Sequence, residues 1–309
     1  MLNDNQTAIT EVWIIGLQSF NGTRIFLFII ILAIYIVIVA GNMLVISLVI
    51  IKTNLHTPMY FFLSNLSSSE LMFTTNIVPK FLQILWAKKS KISIIQCLTQ
   101  FYICGSLAAT ECFLLTVMSY DRYVAICNPL HYNYFMSFRI CYQLAAWCWI
   151  CGFSSMLTTL ILVCQLHFCG PNIIDHFFCD FAPILEISCS DISTVKLETF
   201  IFTSSVTLFP FIFIIGTYVY IILTILKIPS TTGRQKSFST CSSHLTIVSI
   251  YYATLITVYV VPSRGKSNTI NKILSLMYTI VTPLFNPIIY SLRNQGIKEA
   301  IVKASKMKH

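Results

Sequence analysis

The sequence predicts an all-α membrane protein, a seven-transmembrane helix bundle with an extracellular N-terminus and a short amphipathic helix after the seventh span. Three observations carry this. Of 309 residues, 56% are hydrophobic and only 10% are charged, whereas a soluble domain carries roughly a quarter charged. Seven apolar stretches each reach the ~20 residues that a helix needs to cross hydrocarbon. The connections between them are mostly short, which leaves no room for a second domain. A soluble enzyme, a disordered regulator and a fibrous protein are excluded. The net charge of +9 is spread along a chain of membrane spans, so nucleic acid is not an expected partner and membrane lipid is.

The spans read as 25–51, 58–85, 97–124, 140–166, 199–226, 237–261 and 273–292, and the first, fourth, fifth and seventh contain no Asp, Glu, Lys or Arg. Residues 1–24 form an extracellular segment, 25–292 the bundle and 293–309 a cytoplasmic tail. The N-terminal segment lacks a basic stretch followed by an apolar one, so the first span is expected to act as an uncleaved signal anchor. Asn5-Gln6-Thr7 and Asn21-Gly22-Thr23 fit the N-glycosylation pattern of the secretory lumen. Asn65 fits it too, but within a span. With the N-terminus outside, eleven Lys and Arg face the cytoplasm against nine outside, a bias too weak to fix orientation by itself.

Four cysteines, Cys97, Cys169, Cys179 and Cys189, lie at or beyond the outer ends of the spans. Four thiols in an oxidising compartment permit three pairings. Each pairing ties the long loop 167–198 over the mouth of the bundle. Inside the membrane, Glu70 and Glu111 are the costly residues, because a buried carboxylate needs a partner or a proton. Glu70 lies eleven residues beyond Met59 and Glu111 eleven before Arg122, both near the inner ends of their spans, roughly 16 Å deep at ~1.5 Å per residue. Equal depth makes them a candidate cation or proton site. The alternative is two acids satisfied separately by Ser or Asn on neighbouring helices. Asp121-Arg122-Tyr123 ends the third span, and Pro283, Asn286 and Pro287 interrupt the seventh, where each Pro removes an internal hydrogen bond. In the tail, Ile297, Ala300, Ile301 and Ala304 share one helical face with Lys298, Lys303 and Lys306 interleaved, as suits the inner leaflet.

Four runs resemble, in order, the signatures of the vertebrate odorant receptors among the rhodopsin-like G-protein-coupled receptors. They are LHTPMYFFLSNL at 55–66, MSYDRYVAIC at 118–127, KSFSTCSSHL at 236–245 and PLFNPIIYSLRN at 283–294. The resemblance spans nearly the whole chain. It implies bridges Cys97–Cys179 and Cys169–Cys189. It makes Arg122, beside Asp121 and Tyr123, the switch that engages a G protein, with Tyr218, Asn286, Pro287 and Tyr290 rearranging alongside. Asn42, Glu70, Trp149 and Pro287 match landmark positions. Glu70 stands where Asp is usual, Ser119 where Ala is usual, and Ala253 where Gly commonly follows Tyr252. Val12-Trp13 also departs from the usual pattern.

The ligand cavity is expected in the outer half of the bundle. Counting inward from Cys97 brings Cys104, Gly105, Ala108 and Ala109 to its wall. The resemblance adds Phe202, Thr203 and Val206, then Tyr252, Leu255, Ile256 and Tyr259, with Thr279 from the seventh span. None is charged, and Glu111 lies about a turn too deep to receive an amine. A retinal-type pigment needs a lysine within 273–292, which has none. The expected ligand is therefore a small, neutral, mostly apolar odorant, with no cofactor and no metal. The resemblance implies a stimulatory, olfactory-type heterotrimeric G protein raising cyclic AMP. It also implies residence in the plasma membrane, in the cilia of olfactory sensory neurons. A rhodopsin-like receptor for a non-odorant molecule is the nearest alternative. A seven-helix transporter or channel would need a polar path across the bundle, and the outer half nearly lacks ionisable groups. An enzyme would need a catalytic constellation, and His244 alone is not one.

Overall fold

Lipid offers a backbone no hydrogen-bond partners, so each apolar stretch closes its own bonds as a helix. The computed structural model describes residues 9–17, 22–260, 268–293 and 297–298. Its long helices are α1 (Arg24–Ile51), α2 (Pro58–Ala87), α3 (Ile94–Cys127), α4 (Phe138–Cys164), α5 (Ser193–Leu226), α6 (Thr231–Leu255) and the two-part α7 (Asn268–Leu276, then Thr282–Arg293). The glycosylation candidates Asn5 and Asn21 and the side chains of Tyr259 and Tyr290 lie outside the described residues. So does the tail, apart from 297 and 298. There Ile297 is buried against the inner core and Lys298 is exposed.

Among the described residues, five helices are apolar enough by composition alone to cross a membrane; α2 and α6 are the other two spans. Their reasons differ. In α2, buried Ser67, Ser69, Glu70 and Thr74 turn a polar row toward the neighbouring helices. In α6 the first turns are polar, and only His244–Val258 is apolar. Local signals set several boundaries. Pro58 occupies the first turn of α2, where its missing N–H costs nothing. Ser93 and Gln96 cap α3 reciprocally, the Gln96 N–H donating to Ser93 Oγ at 3.2 Å and the Ser93 N–H to Gln96 Oε1 at 3.3 Å. A widened turn, Met277–Val281, lies just ahead of Pro283 in the seventh span. Threonine hydroxyls add bonds to backbone carbonyls there. Thr279 donates to the Ser275 carbonyl at 2.7 Å and Thr282 to that of Met277 at 3.2 Å.

Polar side chains join the helices. Trp149 on α4 donates to Asn65 Oδ1 on α2 at 3.1 Å, and Asn65 Nδ2 donates back to the Phe61 carbonyl at 2.9 Å. Asn65 is thus a helix-pairing residue. Gln100 on α3 donates to the Asn76 carbonyl on α2 at 2.8 Å and Asn76 to that of Gln100 at 3.1 Å. Helices α3 and α4 come close together at Gly152, where a Cβ would lie 2.0 Å from Thr110 Oγ1 and 2.9 Å from the Ser106 carbonyl oxygen.

Over the outer end lies a lid that the sequence does not foretell in detail. Strand β1 (Glu11–Ile14) sits centrally in a small sheet, antiparallel to β2 (Ser90–Ser93) and parallel to β3 (Ile173–Ile174). Val12, Ile14, Ile84, Ile92 and Phe101 bury its underside. The disulfides Cys97–Cys179 and Cys169–Cys189 pin the loop, with Cα–Cα distances of 5.4 and 5.7 Å. Lys272 at the outer end of α7 fastens the far edge, donating to the Gly16 carbonyl at 3.0 Å and to Asp175 Oδ1 at 2.5 Å. Gly16 takes φ +64°, which favours glycine, and a Cβ there would meet Ile84 at 2.6 Å.

The Gly152 contact yields a direct test. Gly152→Val must force α3 and α4 apart. We expect the purified receptor to melt several degrees lower and the yield of folded protein to fall, as read by thermal unfolding and size-exclusion profiles.

Candidate functional site

Beneath the lid is a chamber of about 100 Å³. Helix α3 contributes Cys104, Gly105, Ala108, Ala109 and Cys112, and α5 contributes Phe202, Thr203, Val206 and Thr207. Leu255 enters from α6, Tyr278 from α7, and Ser155 and Met156 from α4. Small residues on α3 leave the space open, and aliphatic and aromatic groups from α5 and α6 close it. Eight of the twelve wall residues expected from the sequence therefore line this cavity: Cys104, Gly105, Ala108, Ala109, Phe202, Thr203, Val206 and Leu255.

Three others are turned away. Tyr252 is fully buried below the chamber, its hydroxyl donating to the Cys112 carbonyl at 3.4 Å and its ring 5.0 Å from that of Phe211. Ile256 packs instead against the inner core. Thr279 spends its hydroxyl on the Ser275 carbonyl within its own widened turn and is fully buried. The resemblance implies these three positions without reporting how far each helix is rotated, and among the described residues of α6 only Leu255 lines the chamber.

The sequence reading also missed the roof. Phe178, Asp180 and Phe181 of the loop line the chamber, hung there by the bond of Cys179 to Cys97 at the top of α3. Gln100 receives the Cys179 N–H at 2.9 Å and holds the same corner. The expectation of a wall without charge is corrected by Asp180, which accepts from the Phe181 N–H at 2.8 Å and from the Tyr278 hydroxyl at 3.4 Å. The position of Asp180, next to a bridging cysteine, was the available signal.

Below the chamber, Tyr251 of α6 donates to the Ala108 carbonyl at 2.7 Å. A residue on the cavity wall is thus bonded directly to α6. Deeper still are the two acids. Asn286 donates to Glu70 Oε1 and Ser69 to Glu111 Oε1 at 3.4 Å, so each acid has its own neutral donor. They also lie within range of each other's charge. Glu70 Oε2 and both amide atoms of Asn42 are buried with no hydrogen-bond partner among the described residues.

At the inner end Arg122 pairs with Asp121. Tyr132 donates to the other oxygen of that carboxylate at 2.8 Å. Tyr218 and His244 share a hydrogen bond of 2.6 Å between α5 and α6, both buried. Tyr123 lies on the same turn as Arg122, its ring 6.2 Å from that of Tyr220.

The family model described as olfactory receptor matches residues 31–308. Olfactory receptor 5P60 of Mus musculus is 47% identical over 299 residues, covering 97% of this chain and 93% of that protein. Olfactory receptor 6N1 of Homo sapiens is 44% identical, with 96% and 95% covered. Olfactory receptor 5G9 of Mus musculus is 46% identical, with 97% and 96% covered.

The chain belongs to the olfactory receptor family.

As a member of the olfactory receptor family it is a multi-pass membrane receptor for odorants, and the family is one of receptors rather than enzymes. The lid of this olfactory receptor carries one further ionisable group of note. His176 stacks on Phe177 with ring centroids 4.6 Å apart and meets Phe178 edge-on at 4.8 Å. Burial pushes its imidazole down to about 3, aided by the Lys272 ammonium and opposed by Asp175. An unfolded His titrates near ~6.5, so between about pH 3 and 6.5 the unfolded chain holds the extra proton. The lid's stability is thus complete above that window and is lost as pH falls through it. We expect the melting temperature of the receptor to drop between pH 6.5 and 5, and His176→Phe, which keeps the stack, to flatten that drop.

Proposed function

We propose that this receptor binds small, mostly apolar volatile molecules in the chamber beneath the lid and activates a stimulatory, olfactory-type heterotrimeric G protein, raising cyclic AMP. The observation that carries the reading is the chamber beneath the lid, whose wall is mostly apolar and lies one hydrogen bond from α6. Burying each methylene contributes about 0.8 kcal/mol, against an association cost of at least about 4 kcal/mol. Affinity is therefore modest, and selectivity comes from shape plus a few hydrogen bonds from groups such as Thr203.

Activation is a population shift. An agonist acts only if it binds more tightly when the inner face is open. Tyr251 links the wall at Ala108 to α6, and the widened turns Ile256–Val260 and Met277–Val281 give α6 and α7 places to bend. At the inner face Arg122 leaves Asp121 and meets the G protein. Asp121, Tyr123, Tyr218, Asn286, Pro287 and Tyr290 are the residues that rearrange with it. Glu70 and Glu111 together hold a proton or a sodium ion in one functional state. Asn5 and Asn21 carry glycans, and the tail 293–309 lies on the inner leaflet. The plasma membrane of olfactory cilia is the site of action.

A cyclic-AMP reporter in cells, challenged with a broad panel of volatiles, tests the reading. We expect Ala108→Phe, which fills the chamber, to raise the effective concentration of any agonist at least tenfold at unchanged surface expression. We expect Arg122→Ala to abolish signalling while agonists still protect the purified protein against heat. Silence across the panel at proven surface expression, or full response in Ala108→Phe, sinks the proposal.

The acid pair has its own test. Sodium in place of choline should raise the melting temperature of the wild type, by mass action on the folded state. Glu70→Gln and Glu111→Gln should each remove that gain together with any pH dependence of activation. Variants that respond to sodium like the wild type would show two separately satisfied acids.

A further inference from the structure

Beside the apolar chamber, a cavity of about 220 Å³ lies between the disulfide-bonded loop and the outer parts of α6 and α7, and Asp180 and Phe181 line both. In the apolar chamber most polar wall groups are spent on the protein itself. Cys104 accepts from Asn76 Nδ2 at 3.1 Å, and Ser155 donates to the Gly152 carbonyl at 2.7 Å. Thr199 donates to Glu198 Oε2 at 3.4 Å. Asp180 is engaged by the Phe181 N–H and the Tyr278 hydroxyl, among others. Thr203 and Thr207 differ: among the described residues neither hydroxyl has a hydrogen-bond partner. A threonine inside a helix commonly bonds the carbonyl one turn back. Thr110 does so to Ser106 at 2.8 Å and Thr116 to Cys112 at 2.7 Å. Ser205, between the two threonines on α5 but off the chamber wall, donates to the Ile201 carbonyl at 2.7 Å. Thr207 is 3% exposed and lines the chamber, so the little surface it keeps belongs to that space.

We propose that Thr203 and Thr207 form a subsite for the oxygen of a carbonyl odorant, an aldehyde or ketone, whose alkyl part fills the rest of the chamber. The inference rests on the reading of the chamber as the odorant site and names the class of molecule it takes. The two residues are four apart on α5, which brings their Cβ atoms to about 5–6 Å on one helix face. Each hydroxyl has one proton to donate. A carbonyl oxygen has two lone pairs and no proton, so both donors converge on it and all three groups are satisfied together. An alcohol takes one hydroxyl as donor and the other as acceptor, so the accepting threonine's own proton no longer meets the ligand. A hydrocarbon leaves both hydroxyls unpaired, and a buried donor without a partner is costly. Thr207 lies one turn nearer the membrane interior than Thr203. The oxygen therefore seats low, and the alkyl part lies beneath the roof residues Phe178 and Phe181.

The test uses the full-length receptor in lipid nanodiscs and measures thermal protection by three probes. They are methyl propyl ketone, the alkene in which a methylene group replaces its oxygen, and the corresponding secondary alcohol. A site built to hydrogen-bond a group rejects the analogue that lacks it. We expect the ketone to protect at a concentration at least tenfold below that of the alkene and several-fold below that of the alcohol. Thr203→Val and Thr207→Val keep the shape of the wall and remove one donor each. Each should reduce the ketone's advantage over the alkene several-fold, and the double variant should abolish it, whereas Thr207→Ser should keep it. Replacing an unpartnered buried hydroxyl by a methyl group of the same shape costs the fold nothing. The ligand-free Thr207→Val receptor should therefore melt no lower than the wild type; a lower melting temperature would show the hydroxyl spent on the fold and overturn the subsite. Equal protection by ketone and alkene, an alcohol as potent as the ketone, or an advantage that survives the double variant also overturns it and leaves the apolar chamber standing. Protection by none of the three removes both.

Discussion

The bond between Cys97 and Cys179 determines what the outer half of this receptor can be. It joins the top of α3 to the middle of the long loop, 82 residues away in sequence. A crosslink over such a separation stabilises by about 2–4 kcal/mol in typical proteins, but its larger effect here is positional. Phe178, Asp180 and Phe181 flank the bridged cysteine and cannot leave the mouth of the bundle, so they become the roof of the chamber. With the loop fixed, β3 is available to pair with β1, and β1 with β2, and the N-terminal segment is drawn over the same opening. Lys272 completes the closure from the α7 side. Two cavities result, one on each side of the strip that carries Asp180 and Phe181.

Within the membrane the equivalent constraint is that polar atoms must find one another. The pairs Trp149 with Asn65 and Gln100 with Asn76 fix α2, α3 and α4 as a rigid group. Gly152 lets α3 and α4 approach to backbone contact. Helices α6 and α7 are bound differently. Each is joined to a widened turn, and in α7 the hydroxyls of Thr279 and Thr282 bond the carbonyls of Ser275 and Met277. The static and the bendable sides of the bundle meet at the chamber, and Tyr251 spans the boundary by donating to Ala108.

Hydrophobic runs made the seven spans legible, because the cost of an unpaired backbone in lipid leaves few alternatives. The α3 wall was legible too, since Cys104, Gly105, Ala108 and Ala109 follow from a fixed origin at Cys97 and a helical count. On α6 and α7 the candidates came from the resemblance instead. Tyr252, Ile256 and Thr279 are turned away from the chamber, because helix rotation is set by packing against Phe211 and the inner core, which no local pattern encodes. The lid was illegible for a related reason. Glu11–Ile14 is too short to announce a strand, and its partners are 76 to 160 residues away. Asp180 went unnoticed because it sits in a loop whose course depends on which cysteines pair, and four thiols left three possibilities.

The size of the chamber bears on how a ligand could drive the switch at Arg122. A cavity of about 100 Å³ gives few contacts, so the free energy available to separate two receptor states is small, and it must be spent close to the moving part. The geometry meets that condition. Ala108 and Cys112 form wall on one side, and on the other their backbone and thiol meet Tyr251 and Tyr252 of α6. A guest that presses on this turn of α3 acts on the hydrogen bonds holding α6, and two turns farther toward the inner face α6 carries His244, bonded to Tyr218. A ligand bound equally well before and after those bonds rearrange would occupy the chamber and change nothing. Agonism in such a receptor is therefore a property of contact with one face of the cavity, and two odorants of equal affinity can differ wholly in effect.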